Sequence, residues 1–111
     1  MGAGPEMPGA EVVNPLALVN RQDGAVVSRT LLNRKMGTLT LFAFDEGQSL
    51  SEHTAPFDAV AHVLEGEAEI VIAGKPLAVS AGEMVLMPAH QPHAVHARKP
   101  FKMLLSMIRS A

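Results

Sequence analysis

Turn signals recur roughly every 6–10 residues along this chain, and they leave no room for a long helix. Gln22-Asp23-Gly24, Asn33 to Gly37, Asp45-Glu46-Gly47, Glu65-Gly66, Gly74-Lys75-Pro76, Ser80-Ala81-Gly82, Pro88 to Pro92 and Arg98-Lys99-Pro100 each carry residues that set or tolerate turn dihedrals. Between them lie short runs rich in Val, Ile, Leu, Thr and Phe. These predict strands over 25–32, 38–44, 50–53, 59–64, 67–73, 77–79, 84–87, 93–97 and 101–108. Asn14-Pro15 has the form of a helix N-cap followed by proline at the first helical position, so Leu16 to Val19 supply about one helical turn. Many short strands with almost no helix predict an antiparallel sandwich or barrel. Residues 1–14, which begin with the Gly/Pro-rich MGAGPEMPGA, read as a flexible lead-in, and 15–111 as a single domain.

Strand 38–44, TLTLFAF, is apolar on both sides. Leu39, Leu41 and Ala43 share one face, and Thr40, Phe42 and Phe44 the other. Both faces are therefore expected to be covered, one by the interior and the other by a second sheet or a second subunit. A homodimer follows, with the last strand, FKMLLSMI, as the candidate to cover a sheet of the partner.

Composition removes several function classes. There are no cysteines, so disulfides, thiolate metal sites and a Cys nucleophile are excluded. Nine Lys and Arg against 11 Asp and Glu, scattered or in short pairs, offer no basic patch for nucleic acid. Trp and Tyr are absent, which weighs against sugar-stacking and base-stacking sites. No apolar run is long enough to span a bilayer and no secretory leader is recognisable, so the expectation is a cytoplasmic protein without membrane contact. No Ser/His/Asp set, phosphate-binding loop or dinucleotide fingerprint occurs.

What chemistry remains is concentrated in two stretches, GQSLSEHTAPFDAVAHVLEG (47–66) and GEMVLMPAHQPH (82–93). In the first, Gly47 is followed after five residues by His53, and Gly66 closes the stretch. In the second, Gly82 is followed after five residues by Pro88, and then by His93. The order and spacing of these anchors resemble the two motifs of the cupin superfamily, G-x5-H-x-H-x3,4-E-x6-G and G-x5-P-x-G-x2-H-x3-N. The likeness covers about residues 38–108. It implies an all-β fold, an antiparallel double-sheet jelly-roll β-barrel of the RmlC-like kind, commonly dimeric, with a site in its mouth.

The departures from the motifs are informative. Ala55 stands at the second His position, Ala59 at the Glu position, His90 at a Gly and Ala97 at the Asn. The metal-dependent cupins that the resemblance brings in hold their metal on three His and a Glu, and this chain keeps His53 and His93 of those four. Two readings stay open. One is a pocket for a small molecule, lined by Ala55, Phe57, Ala59, Ala61 and Met87, with His53 and His93 as its polar groups. The other is a metal-dependent enzyme, of dioxygenase or isomerase type, with Fe, Mn, Ni or Zn on those two histidines. Fold does not choose between them.

Three further histidines need weighing. His62 is the nearest third ligand, but strand alternation puts Ala59, Ala61 and Val63 toward the pocket and His62 on the opposite face, unless a bulge intervenes. His96 falls opposite His93 for the same reason, and His90 lies in the loop. Glu52 should face away from His53, and Asp58 belongs to a bend that turn chemistry explains.

Overall fold

The computed structural model describes residues 5–109, and residues 1–4 of the expected lead-in lie outside them. A 3-10 turn at Pro15–Ala17 is followed by nine strands: β1 (Val26–Arg34), β2 (Gly37–Phe44), β3 (Ser49–His53), β4 (Asp58–Glu65), β5 (Glu67–Ile72), β6 (Lys75–Ser80), β7 (Met84–Met87), β8 (His93–His96) and β9 (Phe101–Ile108). They form two antiparallel sheets, one ordered β1-β2-β9-β4-β7 and the other β3-β8-β5-β6. The fold is thus all-β, a jelly roll of two facing sheets. The expected closure into a barrel is not seen: among the described residues no ladder joins the edges of one sheet to those of the other.

The strands follow the sequence signals with local differences. Pro76 lies inside β6 rather than in the hairpin, opposite Val71. β6 is an edge strand, so the amide that proline lacks is not missed. The turn itself is made by Ala73 and Gly74, both with positive φ. At the N-cap, Asn14 Oδ1 accepts from the Leu16 amide at 3.1 Å, as the Asn-Pro signal predicts.

The sheets enclose an apolar core. Phe44, Ala59, Ala61, Val63, Ala68, Ile70, Val79, Met87, Val95, Ala97, Phe101 and Met103 are buried in it. Phe44 and Phe101 stack with ring centroids 4.5 Å apart, a contact worth about 0.5–1.5 kcal/mol beyond the area it buries. The alternation read in 38–44 holds: Phe42 and Phe44 face this core, while Leu39, Leu41 and Ala43 belong to a second cluster on the outer face of the five-stranded sheet. That cluster is covered in part by the chain itself. Met7, Leu18 and Val19 pack there, and the Met7 amide donates to the Leu31 carbonyl at 2.9 Å.

The last strand is central in its sheet. β9 is paired along its length with β2 on one side and β4 on the other, so only its outer face, not an open edge, is available to a partner. Its two-sided apolar pattern comes from that central position between core and outer cluster.

Candidate functional site

Two short connections cross between the sheets at one end of the molecule. Thr54–Phe57 leads from β3 to β4, and Pro88–Pro92 leads from β7 to β8. They are tied to each other. The His90 amide donates to the Ala55 carbonyl at 2.8 Å, and the Ala89 amide donates to Asp58 Oδ1 at 2.8 Å. Asp58 therefore fixes the mouth's loops, a structural role in keeping with its place in the bend. This end of the molecule carries both motif histidines.

His53 reaches the interior only because β3 is irregular. Leu50 pairs with Val95 and His53 with His93, so three residues on β3 span what two span on β8. This one-residue bulge reverses the alternation, which would otherwise leave Leu50 and His53 on opposite faces. Leu50 packs on the core, and the bulge returns the next inward position to His53. The two imidazoles meet edge to face, with centroids 4.4 Å apart and Nε2 atoms 3.2 Å apart.

The other nitrogen of each ring has a matching partner. His53 Nδ1 lies 2.9 Å from the Ser51 carbonyl and His93 Nδ1 lies 3.2 Å from the Gln91 carbonyl, in both cases the residue two positions earlier. A carbonyl oxygen can only accept, so each Nδ1 carries the proton and donates it. In the neutral rings the two Nε2 atoms then present lone pairs to each other across 3.2 Å, a contact that a hydrogen-bond donor or a cation between them relieves. His93 is 7% exposed while His53 sits at the solvent-facing rim. Burial holds the His93 pKa below its ordinary value, the Gln91 carbonyl opposes this by favouring the charged ring, and the neighbouring His53 adds to the lowering.

The remaining expected residues fall as follows. Ala59 and Ala61 face the interior from β4, and Met87 does so from β7. Ala55 and Phe57 are half-buried in the mouth loop, where the Arg109 guanidinium lies 6.0 Å from the Phe57 ring centre. His62 pairs with Met84 and Leu104 on the outer side of the sheet, away from the imidazole pair, as alternation requires. His90 lies in the loop with φ of +67°, at the position where the motif has glycine, and His96 is on the outward side of β8. Two hollows at the sheet surfaces lie away from the imidazole pair. One, of about 310 Å³, lies over Glu67, Glu69, Leu77 and Arg98, and the other, of about 370 Å³, over Leu32, Leu39, Met107 and Ile108.

The donor set can be tested against a metal. With metal–nitrogen distances of about 2.0–2.1 Å, donors held ~3.2 Å apart subtend roughly 100° at the ion, close to a tetrahedral edge. Each Nδ1 is already engaged by a carbonyl, as in metal-ligating histidines generally. The pair thus fits one edge of a coordination shell. Among the described residues, however, no three His, Cys, Asp or Glu side chains are grouped to hold an ion. The usual three-ligand protein shell of a zinc or non-haem iron site is not completed by those residue types.

Sequence reasoning missed the bulge and the two carbonyl partners. The proline after Gln91 was the available signal, since a residue before proline is steered away from the helical region. Nothing in Ser51-Glu52 announces the bulge.

Comparison with known proteins agrees with the fold. A family model described as Cupin domain matches residues 40–107. A conserved protein of unknown function from Streptococcus pyogenes is similar over 100% of this chain and 97% of its own, with 33% identity and a TM-score of 0.91. A cupin superfamily protein from Desulfitobacterium hafniense aligns over 96% of this chain and 97% of its own, at 25% identity and a TM-score of 0.88. A Cupin 2 conserved barrel domain protein from Leptotrichia buccalis shares 39% identity over 85% of this chain and 46% of its own, with a TM-score of 0.82. No curated protein matches the chain.

Proposed function

The chain belongs to the cupin family, and from that premise we propose that it is a small-molecule-binding cupin whose ligand enters the mouth and is anchored by the His53–His93 pair. One observation carries this reading: two Nε2 lone pairs converge 3.2 Å apart at the edge of an otherwise apolar interior. Ligand sites commonly combine apolar walls with a few converging polar groups. Ala55, Phe57, Ala59, Ala61 and Met87 supply the walls. The two imidazoles supply acceptors for an O–H or N–H donor on the ligand. Ala59 removes the negative charge that the family motif places there, so an apolar or anionic group meets no repulsion from that position.

A second reading is a metal on the same two nitrogens, open to a ligand or substrate at its other positions, which is the enzymatic form of the site. The tetrahedral-edge spacing favours it. Bound there, the ion would supply Lewis acidity, while His53 and His93 would hold it and their backbone carbonyls would orient the rings.

A second copy of the chain completes the assembly in this proposal. Met84, Leu86 and Ile108 are 61, 52 and 62% exposed on the five-stranded sheet, and Ile108 lines the apolar hollow at Leu32 and Leu39. Such a patch suits a subunit interface.

The test is native mass spectrometry of untagged protein purified without chelator. A small-molecule or ion adduct is expected on the wild type and absent from His53→Ala and His93→Ala. Adducts retained by both variants would contradict the assignment.

A further inference from the structure

The strand register around Ala59 places further donors beside the mouth. Ala59 on β4 is paired with Met87 on β7 and with Met107 on β9, so the three form one row across the sheet. Met87 is 3% exposed and buried in the core cluster, and Met107 packs against the same cluster. Both therefore lie on the interior side, flanking the position where the family motif carries its glutamate. The next row inward, Val85–Ala61–Leu105, has the same pattern with Val and Leu in place of the methionines. Sulfur is thus placed on both sides of the missing carboxylate in the row nearest the mouth.

That row and the imidazole pair are at the same end of the molecule. Met87 leads through Pro88–Pro92 to His93, and His53 leads through Thr54–Phe57 to β4, which Ala59 enters as its second residue. The two links are bonded together through His90 and Ala55. Methionine is unbranched, with three rotatable torsions and a polarisable thioether, so each sulfur can swing about its strand position. Adjacent positions in a row are about 4.5–5.5 Å apart at Cβ, within the span of such a side chain.

Resting on the reading of His53 and His93 as the anchor of the mouth, we propose that the site takes a soft monovalent metal ion, Cu(I), held by the two Nε2 atoms and by the thioethers of Met87 and Met107. Softness is the first reason, since thioether donors select Cu(I) over harder ions. Charge is the second. All four donors are neutral, and no carboxylate group of a three-residue metal cluster stands among the described residues. The cost of holding an ion away from water grows with the square of its charge, so a monovalent ion is disfavoured far less than a divalent one among four neutral donors.

The experiment is an anaerobic titration of untagged protein with Cu(I) in competition with a chromophoric Cu(I) chelator, beside a matching titration with Zn(II). Wild type is expected to take one equivalent of Cu(I) and to bind Zn(II) at least ~100-fold more weakly. The Met87→Leu/Met107→Leu double variant keeps side-chain volume, and circular dichroism with a thermal melt checks its fold. It should lose at least ~10-fold in Cu(I) affinity with Zn(II) unchanged, and the sulfur scattering seen by X-ray absorption at the copper edge should disappear. Ala59→Glu, which restores a carboxylate, should shift preference toward Zn(II). A double variant that binds Cu(I) as tightly as wild type overturns the proposal, and so does a wild type that prefers Zn(II). Failure to bind either ion, with a histidine-dependent organic adduct still present, overturns this proposal alone. Failure of both overturns the histidine anchor as well.

Discussion

His53 Nε2 lies 3.2 Å from His93 Nε2, and each ring is held by its Nδ1–H to the carbonyl two residues earlier in the chain. The pair is one unit built from two strands. The extra residue of β3 between Leu50 and His53 is what brings His53 to the inward face in this sequence.

Removing that extra residue tests whether the bulge serves only to carry His53 inward. Deletion of Glu52 places His53 two positions after Leu50, so regular pairing leaves it on the same inward face, opposite His93. The deleted position is exposed at an edge strand, so the thermal melt should shift by only a few degrees. Binding at the mouth should be retained, read by the same native mass spectra, whereas it is lost in His53→Ala. Loss of binding in the deletion variant would mean that the pair needs the bulged geometry itself.

Acid should weaken the fold through His93. Its pKa in the folded protein is below the ordinary value of 6.5, chiefly because burial disfavours the charged ring. The unfolded chain then binds more protons than the folded one as pH falls below 6.5, and stability rises with pH across that window. Urea unfolding at pH 8, 7, 6 and 5.5 should show wild type losing stability relative to His93→Gln from about pH 6.5 downward, with no difference in slope above it. The same protonation competes with any cation for Nε2, so ion affinity should drop in the same direction.

The framework of this site was legible because glycine and proline positions encode turns directly. Gly66 and Gly82 lie at positive φ where the sequence placed turns, and alternation in DAVAHVLE gave the inward set Ala59, Ala61 and Val63 and the outward His62 without error. The limit came where local pattern and tertiary pairing disagree. Alternation alone puts Leu50 and Glu52 on one face, and the pairing of His53 with His93 overrides it. The row Met87–Ala59–Met107 was equally hidden, since its members come from three strands far apart in sequence and become neighbours only in the sheet. The central place of the last strand in its sheet was hidden for the same reason.

Two glycine substitutions should differ in a way that checks the turn assignments. A Cβ at Gly66 would stand 2.5 Å from the Pro100 carbonyl oxygen and 2.9 Å from Phe101 Cβ, at φ of +79°. Gly66→Ala combines backbone strain with overpacking, about 3 kcal/mol together, and should lower Tm by on the order of 10 °C. Gly82→Ala has φ of +88° but nothing within 4 Å, so it carries only the strain, about 1 kcal/mol. Equal melting temperatures for the two variants would count against the close approach at Gly66.

Association should depend on the exposed side of β7 and β9. Light scattering is expected to give a mass twice the 11.8 kDa of one chain. Leu86→Lys with Ile108→Lys should halve it without lowering the secondary-structure content seen by circular dichroism. A wild-type mass of one chain would remove the second copy from the proposal.

The most direct measurement of the site itself is the long-range 1H–15N spectrum of the histidine rings at pH 7.5. His53 and His93 are predicted to appear as Nδ1–H tautomers with unprotonated Nε2, and their Nε2 resonances should move together when the mouth is occupied. An Nε2–H tautomer at either ring, or Nε2 signals that respond independently, would contradict a shared anchor.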